Sequence, residues 1–165
     1  MLQAAYYILF SIVLLFSLYF ALLAIFAFIK RKSPIKTHDA KTKFAVLIAA
    51  RNEAEVIGDL IESLKIQKYP AELYDIYAIV NNCTDQTEQV ARDAGAKIMS
   101  VDVPVKCKGD VLKYAFAKLK PCDYNAYIIF DADNEVHPDF LSYMNNAYQS
   151  GYLAAQGRKD SKNIE

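Results

Sequence analysis

Two aspartates one residue apart, Asp131-Ala132-Asp133, follow directly on the apolar run Ala126-Tyr127-Ile128-Ile129-Phe130. Successive side chains of an extended segment point to opposite faces and those two apart share one, spaced too widely there to chelate a single ion, so a turn is expected to bring these carboxylates together. Neighbouring carboxylates repel unless a cation sits near them, and hard divalent ions choose oxygen ligands. Mg²⁺ or Mn²⁺ shared with the phosphates of a substrate is the natural occupant. Three further polar groups stand in the same relation to an apolar run. Arg51, Asn52 and Glu53 follow the first run; Asn81, Asn82, Thr84 and Asp85 follow the second; Lys106, Lys108, Gly109 and Asp110 follow the third. Glu135 and Lys106 read as ordinary loop polarity. His137, next to Pro138, is near the aspartate pair, but one imidazole adds little to an oxygen-preferring site.

Other chemistries lack their residues. No GxGxxG fingerprint exists, and Gly109 is followed by Asp110 where a P-loop needs Lys and then Ser or Thr. Cys83, Cys107 and Cys122 are odd in number and contain no CxxC pair, so they read as reduced thiols. With 19 basic and 19 acidic side chains, the chain lacks the basic excess of a nucleic-acid binder. Five glycines, five prolines and 54% apolar residues exclude collagen-like and disordered chains.

The elements that must position these groups alternate regularly. Phe44-Ala45-Val46-Leu47-Ile48-Ala49-Ala50 is continuously apolar, as in a strand covered on both faces. Val56, Ile57, Leu60, Ile61 and Leu64 then recur on one helical face. A second strand is predicted over 76–80. Asp85-Gln86-Thr87-Glu88 has the form of a capping box, opening a helix that Gly95 ends. A third strand over 97–101 and a helix striped by Val111, Leu112, Ala115, Phe116 and Leu119 follow. The fourth strand is 126–130, Pro138 suits a first helical position, and that helix runs to about Gln149. Residues 152–156 are a candidate fifth strand. The tyrosines, Tyr127 among them, read as core and interface residues. Such alternation predicts an α/β fold with a parallel sheet, whose ligands bind beyond the carboxyl ends of the strands.

Residues 1–29 are a different polymer. They carry no charged side chain, and the run from Ala4 to Ile29 is long enough to cross a bilayer as a helix. Tyr6 and Tyr7 fall where an interfacial aromatic belt would lie. A signal peptide would place its basic residues before a shorter apolar run. Here Lys30, Arg31, Lys32, Lys36, Lys41 and Lys43 come afterwards, which predicts an uncleaved anchor with the remainder cytoplasmic and the cluster able to meet anionic lipid. The expected organisation is a transmembrane helix over 1–29, a basic juxtamembrane linker over 30–43, with His38 solvated in it, and one α/β domain over 44–165.

Four ordered segments, AARNEAEVIGDLIESL, NNCTDQTEQVARDAGA, KGDVLKYAFAKL and YIIFDADNEVHPDFL, resemble family-2 glycosyltransferases of the GT-A fold across about residues 44–157. The resemblance implies a Rossmann-like nucleotide-sugar-binding domain. By it, Ala50, Arg51 and Glu53 match the block that contacts base and ribose, Asp85 the acidic residue that holds uracil, and Lys108 and Gly109 the segment beside the nucleotide. Asp131 and Asp133 match the metal pair at the donor diphosphate, with Asp133 the more direct ligand. The implied reaction is inverting transfer from a UDP-sugar to a polysaccharide, glycolipid or similar acceptor of the cell envelope. The family's later acidic residue, which acts as general base, and its arginine-tryptophan motif are expected beyond Glu165; the chain has no tryptophan. The reading is therefore a donor half cut short, poor at transfer by itself. A noncatalytic nucleotide-binding remnant and a haloacid-dehalogenase-type phosphatase are the alternatives; Asn134 after the second aspartate argues against the phosphatase.

Overall fold

The computed structural model describes residues 2–28 and 35–160. They form two compact units. The first is helix α1 (Leu2–Phe28), whose stretch Gln3–Phe26 has a mean hydropathy of 2.8 and is long and apolar enough to cross a membrane. Ile29 and the basic residues Lys30, Arg31 and Lys32, on which the orientation expectation partly rests, lie outside the described residues. So does Glu165, the residue beyond which the general base is expected.

The second unit follows the expected alternation: β1 (Phe44–Ala50), α2 (Ile57–Lys65), β2 (Tyr74–Val80), α3 (Thr87–Asp93), β3 (Lys97–Ser100), α4 (Lys108–Leu119), β4 (Ala126–Asp131) and α5 (Phe140–Gln149). The strands make one parallel sheet in the order β3-β2-β1-β4. Pairing of Ala50 with Val80, Ala49 with Asp131 and Val80 with Ser100 brings the four strand ends level. The loops that follow them consequently leave one edge together.

Alternation within β1 feeds two cores. Phe44, Val46, Ile48 and Ala50 pack with Ile57, Leu60, Ile61 and Leu64 of α2, Ala91 of α3 and Leu141 of α5. Ala45 and Leu47 pack on the other face with Ile79 and with Val111, Ala115 and Leu119 of α4. Burying each such aliphatic side chain contributes about 1.5–3 kcal/mol, which explains why the central strand is uninterrupted hydrocarbon. Among the described residues β4 is an edge strand, and it alternates instead. Ile128 and Phe130 join the first core, whereas Tyr127 is only edge-packed on Phe116 and Ile129 is 46% exposed. Tyr127, also packed on Tyr124, lies at the border of the second core.

Helices α3 and α5 end in the same way. Gly95 (φ 97°) and Gly151 (φ 88°) adopt the left-handed conformation, and the N–H groups of Ala96 and Tyr152 return to the carbonyls of Ala91 and Ala147. Two expectations need correction. α5 begins at Phe140, not Pro138, because the Pro138 carbonyl is turned outward to accept from Lys68 N–H at 2.7 Å. Residues 152–156 form no strand; Leu153 lies fully in solvent and no ladder among the described residues reaches it. The described part of the linker is bonded to the domain. His38 N–H donates to Asn146 Oδ1 at 2.8 Å, and Lys41 and Thr42 N–H both donate to Asn145 Oδ1, so residues 36–43 are strapped along α5.

Candidate functional site

At the carboxyl edge lies a cavity of about 440 Å³, lined by Ala49, Ala50, Arg51, Glu53, Asn81, Val105, Lys106, Cys107, Lys108, Val111, Asp131, Ala132 and Asp133. All four strand-end loops supply part of its wall.

The first two loops are clasped to each other. Asn52 and Asn82 turn the chain out of β1 and β2 with φ of 57° and 47°, a conformation asparagine tolerates better than most residues. Asn52 Oδ1 accepts from Thr84 N–H at 2.8 Å. The buried Thr87 hydroxyl accepts from Glu53 N–H at 2.8 Å and donates to Asp85 Oδ1. Asp85 also accepts from Thr87 N–H at 3.0 Å and Ala54 N–H at 3.2 Å. Its carboxyl is held below the ordinary range, first by the Thr87 hydroxyl and then by these backbone donors. The capping box is thus only half made: Asp85 caps Thr87, while Glu88 pairs with Arg92 at 2.7 Å instead of reaching back.

The third loop is folded by Asp110, which accepts from Lys106 N–H at 2.9 Å and starts α4 so that Lys108 stands in the cavity wall. The fourth loop contains the expected turn. Asn134 N–H donates to the Asp131 carbonyl at 3.2 Å, Ala132 is buried, and both aspartates face the cavity. The Lys108 ammonium contacts Asp131 Oδ1, and Lys159 Nζ lies 3.7 Å from Asp131 Oδ2. Lys108 foremost holds the Asp131 carboxyl below its ordinary range; Lys159 adds to it. Asp133 Oδ1 accepts from Asn134 Nδ2 at 2.9 Å.

The structure therefore gathers Ala50, Arg51, Glu53, Lys108, Asp131 and Asp133 around one cavity and leaves Asp85 and Gly109 out of its lining. Asp85 sits behind the first loop as its support. Gly109 answers no steric demand, since a Cβ there would meet only Cys107 Sγ at 3.5 Å. His137 also stays out, its ring turned to Asp139. Asn81 and Lys106 belong to the wall. Asn81, 7% exposed, is the first residue after β2, and that position alone could have ranked it above Asp85.

Among the described residues no cluster of three or more His, Cys, Asp or Glu forms a complete metal site. Two oxygen-donor carboxylates open to a cavity nonetheless fit Mg²⁺ or Mn²⁺, which typically take one or two carboxylates and fill the remaining positions with water and substrate phosphates.

The sequence profile described as glycosyltransferase like family 2 matches residues 41–165. Protein RfbJ of Shigella flexneri is 39% identical over 90 residues, covering 54% of this chain and 64% of that protein. Among solved structures, S. aureus TarS 1-349 in complex with UDP-GlcNAc superposes with a TM-score of 0.58 at 20% identity, over 72% of this chain and 37% of that one. Mannosyltransferase PcManGT from Pyrobaculum calidifontis, in complex with GDP-Man and Mn²⁺, gives 0.60 at 19% identity, over 71% and 35%. The chain thus spans less than two thirds of the length of each of these proteins. The parallel sheet with a cavity at its carboxyl edge is the GT-A fold of glycosyltransferases. The chain belongs to glycosyltransferase-like family 2.

Proposed function

We propose that residues 44–160 bind a nucleotide-diphosphate sugar, a UDP-sugar, with Mg²⁺ or Mn²⁺, as the donor-binding part of a membrane-anchored inverting glycosyltransferase. The acceptor is a cell-envelope polysaccharide, a glycolipid or a similar lipid-linked glycan. The observation that carries this is the single cavity in which Asp131 and Asp133 face Lys108, Arg51 and Glu53.

Each residue has a role its chemistry suits. Asp131 and Asp133 hold the divalent ion. Neutralising the negative charge that develops on the departing diphosphate is what a bound ion supplies there. Lys108 adds a point charge to a phosphate oxygen. Arg51, Glu53 and the backbone of Ala50 meet the base and ribose. The Asn81 amide, a donor and an acceptor on one group, suits the edge of a pyrimidine. Asp85 contributes by holding the turn that carries Glu53.

α1, with the basic residues that follow it, supports attachment to a lipid bilayer with the α/β unit cytoplasmic. A reporter fused after Glu165 is expected to behave as cytoplasmic; activity on the far side of the membrane overturns the orientation. For the donor site, calorimetry on the full chain in detergent, with UDP or GDP and with or without Mn²⁺, is the direct test. UDP is expected to bind in a Mn²⁺-dependent way that Asp133→Ala removes. Binding indifferent to Mn²⁺ and to that substitution overturns the reading.

A further inference from the structure

Asp131 is approached by two ammonium groups, one at each carboxylate oxygen, and only Lys108 belongs to the cavity wall. The second, Lys159, comes from the irregular segment after α5. Gly157 fixes that segment. A Cβ at residue 157 would lie 2.7 Å from Cε2 of Phe140, so the backbone can rest on the ring only because no side chain intervenes. Phe140 in turn packs against Phe130 of β4, with ring centroids 5.3 Å apart. A continuous contact of Gly157, Phe140 and Phe130 thus docks the segment beside the strand that ends in Asp131. Arg158 is occupied by Asp160 at 2.9 Å, and Lys159 is the side chain that reaches the carboxylate.

We propose that Lys159 is a donor-positioning residue that changes partner. Without metal it is a counterion of Asp131; when a divalent ion takes that carboxylate, Lys159 is released and meets the donor diphosphate. The inference rests on the donor-binding reading above and adds a residue outside the cavity lining. A cation and an ammonium compete for the same oxygen and repel each other once both are close. The Lys159 side chain is 68% exposed, so it can swing without disturbing packing. Phosphate oxygens arriving with the donor are the strongest acceptors within its reach.

This exchange has a sign that a structural role lacks. Without Lys159 the metal meets one competitor fewer, and the diphosphate loses one cation. Mn²⁺ binding is read from the free-ion electron paramagnetic resonance signal, and UDP binding by calorimetry at saturating Mn²⁺, both on the full chain in detergent. Lys159→Ala is expected to bind Mn²⁺ alone about threefold more tightly and UDP with Mn²⁺ about threefold more weakly, the scale of an exposed ion pair. Lys159→Arg is expected to stay near the parent in both. Gly157→Ala, which lifts the segment from Phe140 with Lys159 intact, is expected to reproduce the alanine pair of changes. Both affinities unchanged, or both moving the same way, overturns the exchange while a parent with Mn²⁺-dependent UDP binding keeps the donor reading. A parent without that dependence overturns both.

Discussion

The two ends of the sheet handle their polar groups in opposite ways. At the amino end they satisfy one another. Asn145, 1% exposed, accepts at Oδ1 from Thr42 N–H at 3.2 Å, Thr42 Oγ1 at 2.8 Å and Tyr69 Oη at 3.2 Å, and donates to the Asp39 carbonyl at 3.1 Å. At the same end, Tyr124 donates to Asp75, shares a hydrogen bond of 2.8 Å with Tyr77, and Lys97 pairs with Asp75 at 2.7 Å. At the carboxyl end, Arg51, Glu53, Asn81, Asp131 and Asp133 surround open space. A closed network rigidifies; an open one binds. Stability and the proposed donor binding are therefore expected to separate by which end is altered.

Asn145→Leu should break the amino end most severely. It strands the buried Thr42 N–H and removes the acceptor of the Thr42 hydroxyl, at about 1–3 kcal/mol for each unsatisfied group, while Tyr69 keeps its bond to the Thr42 carbonyl at 2.8 Å. A urea midpoint of the detergent-solubilised chain should fall by the equivalent of about 3 kcal/mol or more, with Mn²⁺-dependent UDP affinity kept wherever the chain is still folded. A loss under about 1 kcal/mol would mean the strap is not held by this residue.

The converse experiment is Asp133→Ala. UDP affinity in Mn²⁺ should drop about tenfold or more, since one of the two proposed protein ligands is gone, while the urea midpoint hardly moves. A large shift in midpoint would show that the carboxyl edge carries stability too.

Asp85→Ala sharpens the boundary, because Asp85 lies at the open end but acts internally. UDP affinity should weaken severalfold through the loosened Glu53 turn, and amide exchange at Ala54 and Thr87 should quicken. Weakened binding with unchanged exchange would return Asp85 to direct contact with the base.

The smallest effect concerns pH. Burial first, and then its bonds to Asp75 and Tyr77, push the Tyr124 hydroxyl above its ordinary 10.0. A raised value in the fold means that the stabilisation is complete below about pH 10 and is lost as pH climbs past it, because the unfolded chain ionises first. Tyr124→Phe should flatten the fall of stability above about pH 10, and an unaltered slope would remove Tyr124 from the network.

The contrast also separates what the sequence announces from what it hides. Continuous hydrocarbon in Phe44–Ala50, the helical stripe of Val111, Ala115 and Leu119, and Gly95 and Asp131-Ala132-Asp133 at their boundaries are local patterns, and the structure keeps them. Asn145 looks like one more polar residue on a helix, because its meaning depends on Thr42 at the far end of the domain sequence. Asp85 is conspicuous as an acidic loop residue, yet the nearby backbone N–H groups claim it. Asn81, neutral and inconspicuous, holds the position that the sheet register favours. Residues 152–156 carry an apolar strand signal, and the course of that segment is set instead by Gly157 against a ring.

The strand order has a consequence for how the domain is made. β1 is the first strand to be synthesised and pairs on one side with β2, soon after, and on the other with β4, which comes last of the four. Domains form during synthesis from the amino-terminal side, and pairings between distant segments are slow to close. One flank of β1 must then wait while β2, β3 and α4 emerge. The strand that ends that wait is the one bearing Asp131, so the aspartate pair proposed to hold the metal is assembled by the same late event that joins the fourth strand to the other three.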